Sequence, residues 1–256
     1  MNIEENEIKD MDLSEATALV SFPTVGMIGT IVSNYLVRKM DLELIGEFTS
    51  DEFPPVVIIH EGQPIQPVRI YGGFIKDPEG EKKEKVAVVM SEMPLQRGQF
   101  SPFAKKVIDW CKEKGVEEII TLEGINTDRE FDGDDNIKVY SVGSLSKMDD
   151  MIERLPVQHM EDGMISGLSG SLLYHGKGKR MPVLCFLTEA YNQFPDSRSA
   201  AATIRVLNEL FTDVRIDPQP LIEDAEKIEE QVKKAMKQIS PKTPQETSSD
   251  NLRMYG

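Results

Sequence analysis

The chain is poor in cysteine, histidine and tryptophan, and each shortage removes a class of function. Its two cysteines, Cys111 and Cys185, stand far apart with no CxxC or Cys/His spacing, which argues against a disulfide framework or a zinc site. The three histidines, His60, His159 and His175, fall at a hairpin turn, a loop and a helix end, so none is placed for nucleophilic catalysis. Trp110 is the single tryptophan and reads as a core or interface anchor. No apolar run approaches the length of a membrane span, and the opening MNIEENEIKD is acidic without an apolar signal core. The expected location is the cytoplasm. Basic charge is also short: 29 Lys and Arg stand against 44 Asp and Glu, a net charge of −15. With no basic stripe, neither nucleic acid nor an anionic membrane is an expected partner, because phosphate binding needs clustered Lys and Arg.

Nucleotide and nucleophile motifs are missing too. Gly26 and Gly29 lie between a strand and a helix, the right place for a phosphate loop, but the GxGxxG spacing is absent and no GxxxxGK[ST] occurs. Ser169 between Gly167 and Gly170 only superficially resembles a nucleophile elbow. The glycines read as structural, and neither a cofactor nor a metal is expected.

What the sequence has is alternation. Apolar runs at 17–22 (TALVSF), 86–90 (VAVVM), 117–124 (EEIITLEG) and 183–190 (VLCFLTEA) read as strands. Helical patterns at 26–40, 101–114 and 197–211 separate them. Ser101-Pro102 supplies a helix start, Gly115 a helix stop, and Asp196 an N-cap. Residues 55–71 hold two extended runs, VVIIH and PVRIY, about the turn Glu61-Gly62-Gln63-Pro64, a hairpin signal. A segment rich in small residues, 162–176, reads as a closely packed helix. Strands alternating with helices predict an α/β sandwich with a mostly parallel sheet and some antiparallel pairing at the hairpin.

Three units follow: a core over 1–217, an amphipathic helix over 218–239, and a polar, proline-bearing flexible tail over 240–256. In the second, Leu221, Ala225, Ile228, Val232, Met236 and Ile239 mark one stripe, with acids early and lysines late. It packs either on its own core or on a sister subunit.

Two places carry candidate function. Glu92, Glu123 and Glu189 end predicted strands, where doubly wound sheets bind ligands. They form a nucleoside-type crevice or enzyme site, or else cap helices and pair with Arg69, Arg97 or Arg198. The second place is the last three residues, Met254-Tyr255-Gly256. A hydrophobic residue, tyrosine and any residue before the free carboxylate form the HbYX pattern. With 6 Tyr in 256 residues, chance produces it roughly one time in a hundred.

With these residues the chain resembles the proteasome assembly chaperone 2 family, in its archaeal form. The matching pieces begin with Phe22-Pro23, Val25 to Gly29, Phe53-Pro54-Pro55 and Arg69-Ile70-Tyr71. They continue with Ser91 to Pro94, Asp109-Trp110, Leu122 to Ile125, Gly163 to Gly170, Glu189-Ala190, Pro195-Asp196 and Ala200-Ala201. The resemblance implies a three-layer fold like that of purine nucleoside phosphorylases, without enzyme activity. It also implies a homo-oligomer, tetramer or trimer, whose Met254, Tyr255 and Gly256 tails bind between α subunits of the 20S proteasome without ATP.

Overall fold

Buried strands that are apolar on both faces need a helix layer on each side, and that requirement sets the architecture. The computed structural model describes residues 1–60, 62–76, 81–126, 136–192, 194–211 and 214–225. In chain order the elements are β1 (Glu4–Glu7), β2 (Thr17–Ser21), α1 (Ile28–Lys39), β3 (Glu43–Thr49), β4 (Ile58–His60), β5 (Gln63–Ile65), β6 (Arg69–Lys76) and β7 (Lys82–Met90). Then follow α2 (Phe100–Glu113), β8 (Glu118–Asn126), β9 (Val139–Gly143), α3 (Asp149–Ile152), β10 (Gln158–His159), α4 (Gly167–Lys179), β11 (Val183–Ala190) and α5 (Ser197–Leu210).

The main sheet runs β1-β3-β6-β7-β2-β8-β11-β9-β10. Its centre, β7-β2-β8-β11, is parallel, while β1, β3 and β6 extend it antiparallel on one flank and β9 pairs antiparallel with β11 on the other. The α/β sandwich is therefore as expected, with parallel pairing concentrated at its centre.

Alternation along β7 shows how the two faces are used. Val86, Val88 and Met90 join the core beneath α1 and α5, and Ala87 and Val89 join the core beneath α2 and α4. In α2 the buried Phe103, Ala104, Val107, Ile108, Trp110 and Cys111 recur at helical spacing, so one stripe faces the sheet. Phe103 meets Phe22 and Phe48 edge to face at 5.1 and 5.6 Å, and Trp110 meets Phe48 at 6.0 Å. Each such contact adds about 0.5–1.5 kcal/mol beyond area burial. Trp110 is the core anchor expected, and its indole N–H donates to Glu5 Oε1 at 2.8 Å, holding the edge strand β1.

Several local expectations change. The hairpin pairs β4 with β5, Ile58 opposite Ile65, while Arg69–Lys76 leaves it for the main sheet between β3 and β7. The turn signal was right; its second strand is QPI, because the VRIY residues bury both faces only inside the larger sheet. Helix α2 starts at Phe100, so Pro102 is its third residue; proline has no helical partner to lose there either. His159 lies in β10, beside Ser141 of β9, rather than in a loop. The small-residue helix begins at Gly167, five residues later than the pattern suggested. Residues 219–225 are helical, with Leu221 and Ala225 buried beside α1 and the Tyr35 hydroxyl donating to the Asp217 carbonyl. The remainder of the expected 218–239 helix and the 240–256 tail lie outside the described residues.

Candidate functional site

The chain leaves β2 into α1 on one face of the sheet and leaves β7 into α2 on the other. Beyond the carboxyl ends of β2 and β7 the two paths diverge and, with β8 alongside, open a crevice, the place where such sheets hold ligands. Its volume is about 290 Å³, and Phe22, Thr24, Leu95, Phe100, Glu123 and Ser169 are among its walls. Close backbone approach shapes it. Gly26 adopts φ +63°, and Gly124 lies so near the β2–α1 turn that a Cβ there would stand 1.9 Å from the Val25 carbonyl oxygen.

Glu123 is the carboxylate that enters this crevice, and its partners are internal. Ser169 Oγ donates to Glu123 Oε1 at 2.6 Å, and the Thr24 hydroxyl nearby accepts the Gly124 N–H at 3.2 Å. With Ser169 donating to Glu123, the Thr121 hydroxyl donates to Ser169 at 2.6 Å. Ser169 is the third residue of α4, whose own N-cap, Ser166, makes no side-chain capping bond. Glu123 therefore meets the first turn of α4 through the Ser169 side chain, at the end of the helix whose dipole favours negative charge. Burial pushes its carboxyl above the usual range, and the hydrogen bonds partly oppose that.

The other two glutamates are held separately. Glu92 pairs with Arg69 Nη2, and Arg69 is only 3% exposed. Arg69 Nη1 donates to the Gln66 carbonyl at 3.3 Å, and the guanidinium lies 5.8 Å from the Tyr71 ring centroid. Glu189 Oε2 accepts the Lys138 N–H at a long 3.4 Å, while its own carbonyl accepts from Ser199 Oγ at 2.7 Å. Glu189 sits opposite Ile125 and Glu123 opposite Leu187, so these two residues are offset along adjacent strands. Of the two sequence readings, arginine pairing describes Glu92, and Glu123 bonds the Ser169 side chain in the first turn of α4.

Asp196 caps α5 as expected, accepting the Ser199 N–H at 2.9 Å and the Tyr191 N–H at 3.2 Å. Its backbone N–H donates to the Gly26 carbonyl at 2.8 Å, which ties the start of α5 to the β2–α1 turn. Both cysteines are buried, and burial pushes both thiols upward, away from nucleophilic character. His175 bonds Ser101 Oγ at 2.8 Å between α4 and α2, with burial lowering its proton affinity. Among the described residues no group of three His, Cys, Asp or Glu side chains is placed to hold a metal, and no helix is long and apolar enough to cross a membrane.

One surface escaped the sequence reading. Val56, Val57 and Ile59 are exposed beside a groove of about 660 Å³ formed around residues 49–57, 66 and 67 and the start of β1. Its only sequence signal is a pair of valines directly after Pro54-Pro55. Met254, Tyr255 and Gly256 lie outside the described residues.

A model of the PAC2 family matches residues 18–236. The fold is similar to that of Pyrococcus furiosus PbaA, an archaeal homolog of proteasome-assembly chaperone, with a TM-score of 0.79, 28% identity and 92% of each chain covered. It is also similar to Pyrococcus furiosus PbaB, an archaeal proteasome activator, with a TM-score of 0.78 and 20% identity, covering 91% of this chain and 98% of that one. The Methanocaldococcus jannaschii protein MJ0106 is 24% identical over 230 residues, 89% of this chain and 88% of that protein.

Proposed function

The chain belongs to the PAC2 family, and we propose that it binds the 20S proteasome α ring without ATP, as an assembly chaperone or activator-like protein, through its terminal Met254-Tyr255-Gly256. The observation that carries this reading is the likeness to PbaA over 92% of both chains, joined to the HbYX pattern at the last three residues. In this reading the Gly256 carboxylate pairs with a lysine in a pocket between α subunits. Tyr255 buries its ring there and hydrogen-bonds through its hydroxyl, and Met254 adds apolar contact. Residues 240–256 serve as a tether whose random-coil span is about 20–25 Å. Several tethers on one homo-oligomer, a tetramer in this reading, bind with avidity far above that of a single tail.

The reading asks nothing catalytic of the globular part, and the internal bonding of Glu123 and Glu92 supports that division. The test is binding to purified 20S proteasome and to free α rings, by the intact protein and by a variant lacking Met254 to Gly256. Binding that disappears with the three residues, or when residues are appended after Gly256, is the expected result. Undiminished affinity in either variant overturns the tail reading.

A further inference from the structure

The β4–β5 hairpin stands outside the main sheet, and an isolated two-stranded hairpin is marginal in water without something packed on it. Val56, Val57 and Ile59 here are 47%, 53% and 64% exposed. They border a groove whose lining includes the acids Glu4, Asp51 and Glu52 and the apolar Pro54, Val56 and Val57. Among the described residues no Lys or Arg lines it, and the Met1 ammonium stands 2.9 Å from Glu52. An occupant must therefore bring positive charge and apolar side chains together.

The chain as a whole carries −15, so most of its surface is repelled by this rim. Basic stretches without acids are the opposite: residues 163–188, with Lys177, Lys179 and Arg180, are taken up by α4 and β11 of the core, and another stretch lies beyond the described residues. Residues 231–242, QVKKAMKQISPK, contain Lys233, Lys234, Lys237 and Lys242 and no acid, with Val232, Met236 and Ile239 interleaved. We propose that the groove receives this basic, apolar segment from a second copy of the chain; the proposal rests on the homo-oligomer reading above and names its contact.

A second copy is favoured over the same chain by where the described path ends. Leu221 and the partly buried Ile222 pack into the core on the α1/α5 face of the sheet. The groove belongs to the opposite face, because Phe53 in its wall packs into the core under α2 and meets Phe103 at 6.2 Å. The strand order also puts β1 and β3, which border the groove, at the far edge from α5's partner β11. Donation in trans needs no passage around that edge, and exchange between two copies buries the valines of both.

The test uses the full chain alone. Unlabelled and ¹⁵N-labelled protein are mixed, subunit exchange is verified by native mass spectrometry, and a zero-length carbodiimide reagent joins touching carboxylates and amines. Expected are mixed-isotope peptides linking Asp51 or Glu52 to Lys233, Lys234 or Lys237. These links are lost by chemistry alone in Asp51→Lys plus Glu52→Lys, and the informative variant adds Lys234→Glu and Lys237→Glu to the same chain. Mixed-isotope links should then reappear with the chemistry reversed, amines at 51 or 52 joined to carboxylates at 234 or 237, and their absence overturns the groove assignment. An exchanging oligomer without these links, or with same-isotope links only, overturns the groove assignment while leaving the homo-oligomer reading intact. A protein monomeric by light scattering overturns both. Neither outcome depends on proteasome binding, which the tail truncation tests separately.

Discussion

Breaking the Arg69–Glu92 pair while keeping its shape should destabilise the protein more than any charge change on its surface. Arg69 is 3% exposed and the Glu92 side chain 31%, so one charge is enclosed and the other reaches water in part. Glu92→Gln leaves the guanidinium with a 3.3 Å bond to the Gln66 carbonyl and the Tyr71 ring as its remaining partners among the contacts described above. Removing one partner of a fully buried pair costs about 3–5 kcal/mol; the access of water to Glu92 brings the expected loss to about 2–3 kcal/mol. Arg69→Met should cost about 1–2 kcal/mol, since Glu92 then relaxes toward solvent. The double variant should cost no more than Glu92→Gln alone, because it leaves no buried charge to compensate. Arg69 Nε and Glu92 Oε2 are already buried without a hydrogen-bond partner, which is why the intact pair is an incomplete stabiliser. Urea unfolding followed by both circular dichroism and Trp110 fluorescence measures all four proteins, and an unchanged slope keeps the comparison two-state. A coupling energy below about 0.5 kcal/mol in that cycle would falsify the assignment of Glu92 to a structural pair.

Asp196→Ala removes the α5 cap, the side-chain acceptor of the Ser199 and Tyr191 N–H groups; a loss of about 1–2 kcal/mol is expected, and a change under about 0.3 kcal/mol refutes the role. Gly124→Ala drives a methyl to 1.9 Å from the Val25 carbonyl, so it should cost about 3 kcal/mol or more; a melting temperature within about one degree of the parent contradicts the packing. Glu123 has a carboxyl raised above its unfolded value, so the unfolded state releases that proton first as pH rises. Its contribution to stability is greatest below the unfolded value and is lost as pH climbs through the folded one. Glu123→Gln should flatten that fall in unfolding experiments carried upward in pH from the ordinary carboxyl range, and a steeper fall in the variant counts against the buried, protonatable carboxyl.

Much of this protein was legible before any coordinate. Continuous apolar runs such as VAVVM can be satisfied only between two helix layers, and the 3.6-residue periodicity of α2 and α5 supplied those layers. Asp196 and Gly115 marked helix ends because capping chemistry is local, as the Ser199 bond and the φ of +73° at Gly115 bear out. Local signals stop where partners come from afar. ELIGEFT alternates too weakly to announce β3, which forms because β1 and β6 pair with it on either side. VRIY sits beside a turn like a hairpin strand, yet the sheet between β3 and β7 buries more of it than β4 would. The three strand-end glutamates look alike in sequence. Only the tertiary structure assigns one to Ser169 of α4, one to Arg69 and one to the β9 approach, because side-chain partners here lie 23 to 51 positions away. The family likeness and the terminal triplet, by contrast, are linear properties, set by residue order alone.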